Sequence, residues 1–208
     1  YVLRPVEGQS HEYEYRRLAV LGNLVGGRTS VACAPVEAVL QYTTPKQEFC
    51  GNTLTVKQGM AISMDVLIER LFGAGYLRRF QVDGPGQFSV RGGIVDIYCL
   101  TEENPWRIEL WGDEIDSIRS FDPESQRSLE NLEELTIYPA VEHIGDKDMV
   151  SFLDYFPEER TIIFLDEPNR LTEKGGAVEE EYRQSRMHRE EKGSRNLPEN
   201  WLCSFEQL

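Results

Sequence analysis

An apolar run that ends in two acidic residues is the first feature of this sequence that could support catalysis. Residues 162–165 are Ile-Ile-Phe-Leu, and Asp166 and Glu167 follow them directly. In nucleotide hydrolases, an aspartate at the end of such a strand holds Mg²⁺ through water, and the next glutamate orients the attacking water. The same chemistry requires a phosphate-binding loop of the pattern G-x-x-x-x-G-K-[ST].

The sequence contains no phosphate-binding loop of this pattern. The stretch from Gly22 to Gly27 lacks the lysine, and Pro168 departs from the usual helicase sequence after the acidic pair. Three interpretations of Asp166 and Glu167 therefore stay open: a plain strand followed by an acidic helix cap, a degenerate nucleotide site that no longer hydrolyses, and a working ATPase.

A second group of carboxylates could act as acid and base or as metal ligands. Asp113, Glu114 and Asp116 alternate with Ile115 along a predicted strand, so Glu114 and Asp116 share one face. No histidine or calcium-type glycine loop lies near them in the sequence. The pattern favours solvated surface charge over a metal site.

Three arginines stand out because basic residues are scarce here. Arg78, Arg79 and Arg91 flank a β-rich segment of a chain that has 36 acidic and 22 basic residues. An arginine at a rigid strand edge can pair with carboxylates of another protein. It can equally pair with an acidic neighbour in the same molecule, and the sequence leaves both interpretations open.

The composition limits the class of function. The net charge is −14, so most of the surface should repel free DNA, whose binding depends on lysine and arginine. The acidity indicates either solubility alone or a partner with a basic surface. No apolar run approaches the roughly 18 to 20 residues that cross a bilayer, and no signal-peptide pattern is present. Residue 1 is not methionine, so we expect an excised fragment.

The cysteine pattern argues against a disulfide framework or a structural zinc site. None of the four cysteines belongs to a C-x-x-C pair, and no histidine lies at zinc-finger spacing from them. We therefore expect a reducing compartment, with Cys33 and Cys99 acting as small apolar residues in strands.

Hydrophobic spacing and turn residues predict α/β character at both ends of the chain. The predicted elements are helices at 11–24, 35–41, 63–72, 147–156 and 173–192, and strands at Thr29–Cys33, Thr53–Val56 and Thr161–Leu165. Residues 80–138 instead predict about four antiparallel strands, with turns at Gly84-Pro85-Gly86, Gly92-Gly93 and Gly112-Asp113. This order indicates a β unit inserted into a parallel α/β domain.

The sequence resembles the amino-terminal UvrB-like module of bacterial transcription-repair coupling factors. The resemblance is carried by Gly75-Tyr76 with Arg78, GQFSVRGGIVDI at 86–97, PWRIELWGDEIDSIRSFD at 105–122 and SQRSL at 125–129. Residues 153–157, leading to Asp166 and Glu167, resemble the same region of UvrB, where the Asp-Glu pair belongs to the ATPase.

The resemblance implies a fold, domain boundaries and a site. The fold is a partial parallel α/β domain interrupted by an inserted, mostly antiparallel β domain of α+β type. The segments are 1–76, 77–140 with the UvrA-binding domain, and 141–208 with a degenerate Asp-Glu motif. UvrA recognition is implied for Arg91 and for Arg78, with Arg79 as the alternative. A further UvrB arginine corresponds to Ser89, so that contact is in doubt.

The implied function is a non-catalytic interaction module that recruits UvrA to stalled RNA polymerase in the cytoplasm. The resemblance places the translocase motor and the polymerase-binding domain outside this chain. The expected partners are UvrA and the other domains of the coupling factor, without cofactor, metal, membrane or direct DNA binding. Two rival hypotheses are a UvrB-type ATPase fragment that acts on damaged DNA and a module that masks another domain.

Overall fold

The computed structural model describes residues 11–142, 149–191 and 201–205. The helices are α1 (Glu12–Val25), α2 (Val36–Val39), α3 (Lys46–Gly51), α4 (Met64–Gly73) and α5 (Pro168–Glu191), with 3₁₀ turns at Phe152–Tyr155 and Glu158–Arg160. The strands are β1 (Leu54–Lys57), β2 (Leu77–Arg78), β3 (Gln87–Arg91), β4 (Ile94–Tyr98), β5 (Trp106–Trp111), β6 (Glu114–Phe121), β7 (Ser128–Leu132) and β8 (Glu134–Ile137). The predicted mixture of helices and sheets is confirmed as an α+β fold.

The chain divides into two compact units. Residues 11–23 and 47–142 form the β-rich unit, and residues 24–46 with the described part of 143–208 form the helical unit.

A six-stranded sheet dominates the β-rich unit, with the strand order β2-β3-β4-β5-β6-β7. The β2–β3 pair is parallel, and the other four pairs are antiparallel. The predicted glycine turns at Gly92-Gly93 and Gly112-Asp113 do connect β3 to β4 and β5 to β6. A separate two-stranded sheet pairs β1 with β8 in antiparallel register, with Leu54 opposite Ile137.

The core of this unit lies on one face of the large sheet. Alternate residues of β3 to β6 point to that face because successive side chains of a strand point to opposite sides. The buried members are Phe88, Val95, Ile97, Trp106, Ile108 and Ile118, and they pack with Leu67, Leu71 and Tyr76. Their removal from water supplies much of the stabilising free energy of this unit.

Helix α4 covers part of this core, as its sequence predicts. The Ser63 side chain accepts a hydrogen bond from the backbone N–H of Val66 and so caps the helix. Leu67 and Leu71 are fully buried. Phe72, predicted on the inner face, is half exposed, and its ring meets the ring of Phe88 edge-on at 5.1 Å between centroids.

The helical unit is built on α2 and the long helix α5. Val36 and Leu40 pack with Val178 and Cys203 in a small apolar cluster. The backbone N–H of Cys203 donates to the carbonyl of Leu40 at 2.8 Å. Helix α5 begins at Pro168, five residues before the predicted start, because proline is compatible with the first helical turn.

Two predicted strands of this unit are wrong. Thr29–Cys33 and Thr161–Leu165 form no strand. Val31, Ile162 and Phe164 are 81%, 79% and 88% exposed, although the sequence pattern had predicted burial for the second run. Cys33 is also exposed rather than packed in a strand. An apolar, β-branched run becomes a strand only when a second strand offers it a hydrogen-bonding ladder, and the local pattern does not reveal whether one does.

The predicted helix at 147–156 is only partly described. Residues 147 and 148 lie outside the described ranges, and the structure places a 3₁₀ turn at Phe152–Tyr155.

Candidate protein-docking site

The second face of the large sheet is polar, and it is the candidate site. The strand register aligns Ser89 of β3 with Asp96 of β4, Asp96 with Arg107 of β5, and Arg107 with Arg119 of β6. Laterally paired residues point to the same face. Four neighbouring strands therefore present one row of polar side chains opposite the apolar core.

Asp96 is the centre of this row. Its side chain is 1% exposed, and both carboxylate oxygens bind arginine. Arg107 donates from Nε to Oδ1 at 2.6 Å and from an η nitrogen to Oδ2 at 2.9 Å. Arg91 donates to Oδ2 at 2.6 Å. A buried carboxylate requires such charge-paired hydrogen bonds, because burial without them is very costly.

Arg107 is held on several sides. The guanidinium lies 4.3 Å from the centroid of the Phe121 ring, and an η nitrogen donates to the side-chain oxygen of Gln126 at 3.0 Å. Hydrogen bonding to Asp96 raises the pKa of Arg107 above its ordinary value. With a side chain 12% exposed, Arg107 acts as an internal support of the sheet face.

Arg91 differs from Arg107 because much of its side chain remains in solvent. The Arg91 side chain is 46% exposed while it contacts the buried Asp96. The strand ends there in a tight turn, where Gly92 has a φ of +60° and a Cβ on Gly93 would lie 2.8 Å from the carbonyl oxygen of Leu110. Both glycine positions are thus required by geometry, and the turn holds Arg91 at a defined end of the sheet.

Arg78 and Arg79 lie at the exposed edge formed by β2. Both residues are exposed, and no ion pair links either of them to another described residue. Arg78 is the register partner of Phe88, which points to the core face. Arg79 follows the strand and donates its backbone N–H to the carbonyl of Phe88 at 2.8 Å, which aligns its backbone with Ser89 of the polar face. The backbone of Arg79, and not that of Arg78, is therefore aligned with the polar face, and the Arg79 charge also acts on Tyr15, which packs against the core.

Ser89 lies within the polar row but is not available to a partner. The residue is 1% exposed, and its hydroxyl oxygen has no hydrogen-bond partner among the described residues. Its register partner is Asp96. At this position the chain presents a small buried hydroxyl instead of the arginine that the UvrB resemblance implies.

Arg119 and Glu109 form a second ion pair on the same face. Arg119 binds both oxygens of Glu109, and the Ser117 hydroxyl donates to Glu109 at 3.1 Å. Both partners of the ion pair are about one quarter exposed. The pair neutralises its own charges and leaves Arg91 as a more accessible cation of the polar face than Arg119 or Arg107.

The other sequence-predicted residues are exposed acidic side chains. Asp166 and Glu167 are exposed, and Glu167 pairs with Arg170 of the same helix turn. Asp113, Glu114 and Asp116 are exposed as well. Within residues 11–142, 149–191 and 201–205, no group of three metal-ligating side chains comes together.

A phosphate-binding loop is also incompatible with the local structure at Gly22. This glycine is a buried residue inside α1, and a Cβ there would lie 2.9 Å from the ring of Tyr138. The glycine is explained by close helix packing.

Among the described helices, none is both long and apolar enough to cross a bilayer.

Sequence reasoning missed the two residues that support Arg91. Asp96 sits in the middle of Ile94–Tyr98, and Arg107 sits between apolar residues of β5. A charged residue at an alternating position of a strand is usually solvated, so the sequence did not single these out. One signal was available: Asp96 and Arg107 carry opposite charges and fall at equivalent positions of neighbouring strands.

Comparison with known proteins finds one matching family model and several similar relatives. Residues 54–143 match the family model described as the UvrB interaction domain. The chain is 44% identical over 135 residues to a transcription-repair-coupling factor of Bacillus subtilis (strain 168), an alignment that covers 65% of this chain and 12% of that protein. It is 37% identical over 145 residues to the transcription-repair-coupling factor of Staphylococcus aureus (strain MRSA252), with 70% and 12% coverage. The chain matches only about an eighth of the length of these relatives.

Proposed function

We propose that this chain is a protein-docking module of DNA repair that binds UvrA, because residues 54–143 match the model of the UvrB interaction domain and the chain is similar to transcription-repair-coupling factors. Part of the proposal is the division into 1–76, 77–140 and 141–208, with the docking domain in the middle segment. The finer role is recruitment of UvrA to a stalled RNA polymerase in the bacterial cytoplasm. The other domains of the longer protein are further partners in this proposal.

The observation that supports docking most directly is the state of Arg91. A guanidinium anchored through one nitrogen on a 1% exposed carboxylate, with the side chain still 46% exposed, is pre-organised for a second acceptor. Pre-organisation lowers the conformational entropy lost on binding. The planar guanidinium retains donors for a carboxylate on the partner. We therefore assign the contact to acidic side chains of UvrA.

Arg79 is the second cation of the proposed contact. Its backbone is aligned with Ser89 of the polar face, whereas Arg78 is the register partner of Phe88 on the core face. The family resemblance favoured Arg78, so the resemblance and the polar-face hypothesis make opposite predictions for these two arginines. If the polar face is the contact, Arg79→Ala weakens UvrA binding more than Arg78→Ala.

The proposal assigns no catalysis to this chain. The full sequence has no G-x-x-x-x-G-K-[ST] loop, and Asp166 and Glu167 follow an exposed segment instead of a sheet strand. The rival, a UvrB-type ATPase fragment, predicts ATP turnover that DNA stimulates. Turnover by the purified chain, absent from an Asp166→Asn variant, would establish that rival.

The proposal is tested by calorimetric titration of the chain with UvrA at two salt concentrations. Arg91→Ala is compared with Arg127→Ala, which removes the same charge from an exposed residue beyond the opposite end of β6. We expect Arg91→Ala to weaken binding about tenfold, and Arg127→Ala to change it less than about twofold. The wild type and the Arg127→Ala variant should both bind UvrA more weakly at higher salt, because charges steer association. Equal affinity of Arg91→Ala and wild type would remove Arg91 from the contact, and no binding by wild type would refute the proposal.

A further inference from the structure

Trp111 is an exposed aromatic residue that the fold does not use. It ends β5 and is 85% exposed, whereas Trp106 of the same strand is 5% exposed and belongs to the core. No ring contact or cation–π contact to Trp111 occurs among the described residues. Single exposed apolar residues are common on protein surfaces, so exposure alone says little. Trp111 is distinguished from other exposed residues by its position close to Arg91.

Trp111 lies on the polar face of the sheet. The β5 residues alternate, so Trp106, Ile108 and Leu110 point toward the core side. Arg107, Glu109 and Trp111 therefore share the other face.

Trp111 also lies at the same end of the sheet as Arg91. The backbone N–H of Leu110 donates to the carbonyl of Gly93 at 2.8 Å, so the ladder places the start of the β5–β6 turn beside the β3–β4 turn. Arg91 is paired with Ile94, and Ile94 with Glu109, two residues before Trp111. Two strand spacings and two residue steps give roughly 12 Å between the α-carbons of Arg91 and Trp111. A standard interface of about 800 Å² on each partner spans both residues.

Charge and apolar surface are combined at this end of the sheet. Ile94 lies between the two residues on the same face and is partly exposed. The Arg91 guanidinium supplies a cation, and the indole and the Ile94 side chain supply apolar surface. Tryptophan and arginine are the residue types that most often dominate the binding free energy of protein interfaces. The partner that fits is a protein surface with an apolar pocket bordered by carboxylates.

We propose that Trp111 is the aromatic anchor of the UvrA contact and inserts into an apolar pocket of UvrA next to the carboxylates that meet Arg91. This inference rests on the proposed function, because UvrA is its occupant. It extends the contact from the β3–β4 turn to the β5–β6 turn. The charged contact then orients the two proteins, and the indole supplies most of the affinity that persists at high salt.

The test is a titration of UvrA with wild-type chain, Trp111→Ala, Trp111→Phe and Phe164→Ala. Phe164, 88% exposed and located in the helical unit, is the control for loss of an exposed aromatic ring. A circular dichroism spectrum of each variant confirms that the sheet is retained. The same titrations at high salt separate the apolar contribution from the charged one. Fluorine NMR of 5-fluorotryptophan-labelled chain follows Trp111 directly, because its resonance is the one missing from Trp111→Phe.

Each outcome decides the inference. We expect Trp111→Ala to weaken binding by at least about tenfold at both salt concentrations, with Trp111→Phe largely restored and Phe164→Ala within about twofold of wild type. The Trp111 resonance should shift and broaden when UvrA is added. Wild-type affinity for Trp111→Ala, or an equal loss in Phe164→Ala, overturns the anchor but leaves UvrA binding intact. If Trp111→Ala changes only the self-association of the chain, measured by sedimentation, Trp111 belongs to a contact between copies of the chain. That result also overturns the proposal that Trp111 anchors UvrA. No binding by wild type refutes the proposed function and this inference together.

Discussion

Replacing Asp96 by asparagine tests whether one buried carboxylate organises the polar face. The substitution preserves the shape of the side chain and removes its negative charge. Arg91 and Arg107 would then face a neutral amide that offers one acceptor oxygen in place of two. The carboxylate is 1% exposed, so water cannot replace the lost charge without opening the sheet face.

The two ion pairs of Asp96 contribute unequally to the expected effect. The Arg91 pair is half exposed on the arginine side, so solvent screens it and it contributes at most about 1 kcal/mol. The Arg107 pair is bidentate and largely buried, and removing one partner of a buried pair costs about 3 to 5 kcal/mol. Asparagine keeps one hydrogen bond, which favours the lower end. We expect a loss of about 3 kcal/mol in the free energy of unfolding, equivalent to about 12 °C in Tm for a unit of this size.

The measurement is urea and thermal unfolding followed by far-ultraviolet circular dichroism. Glu109→Gln is the matched control, because the Arg119–Glu109 pair lies on the same face with both partners about one quarter exposed. Its loss should be about 1 kcal/mol or less. If Asp96→Asn costs no more than Glu109→Gln, the buried carboxylate does not organise this face, and the account of Arg91 as a pre-organised docking group fails.

Further substitutions test the other structural assignments. Arg91→Ala should lower the free energy of unfolding by no more than about 1 kcal/mol, because its side chain is half exposed; a larger loss in urea titration would make it a structural residue. Ser63→Ala should cost about 1 kcal/mol in the same assay, since the backbone N–H of Val66 loses its cap; no change would show that water replaces the cap. Gly75→Ala should cost more than about 2 kcal/mol, because φ is +85° and the new methyl group would lie 2.5 Å from Val141; a Tm equal to wild type would contradict this backbone geometry.

Much of the β-rich unit could be predicted from local sequence because its signals are local. The Gly92-Gly93 turn and the Gly112-Asp113 turn are recognisable from residue type, and each joins strands that are neighbours in the chain. The Ser63 cap and the apolar spacing of α4 are equally local. The same reasoning failed at Thr161–Leu165, where the strand pattern is present but residues 162–165 are exposed and the segment forms no strand.

In the candidate site, too, some residues could be predicted from local sequence and others could not. Arg91 was predictable because it stands in a strand–turn signature of the chain. Asp96 and Arg107 were not predictable, because they are eleven residues apart in sequence and their contact depends on the register between β4 and β5. The choice between Arg78 and Arg79 also depends on register, because a shift of one residue moves a side chain to the opposite face.

By itself, the sequence determined the alternation that gives the sheet an apolar and a polar face, the glycine turns between its strands, and the end at which Arg91 lies. Only the tertiary structure decided that a buried Asp96 joins Arg91 to Arg107 and that Trp111 shares their face. The physical reason is that side-chain direction follows from chain geometry within a strand, whereas neighbours across strands follow from register and packing of the whole sheet.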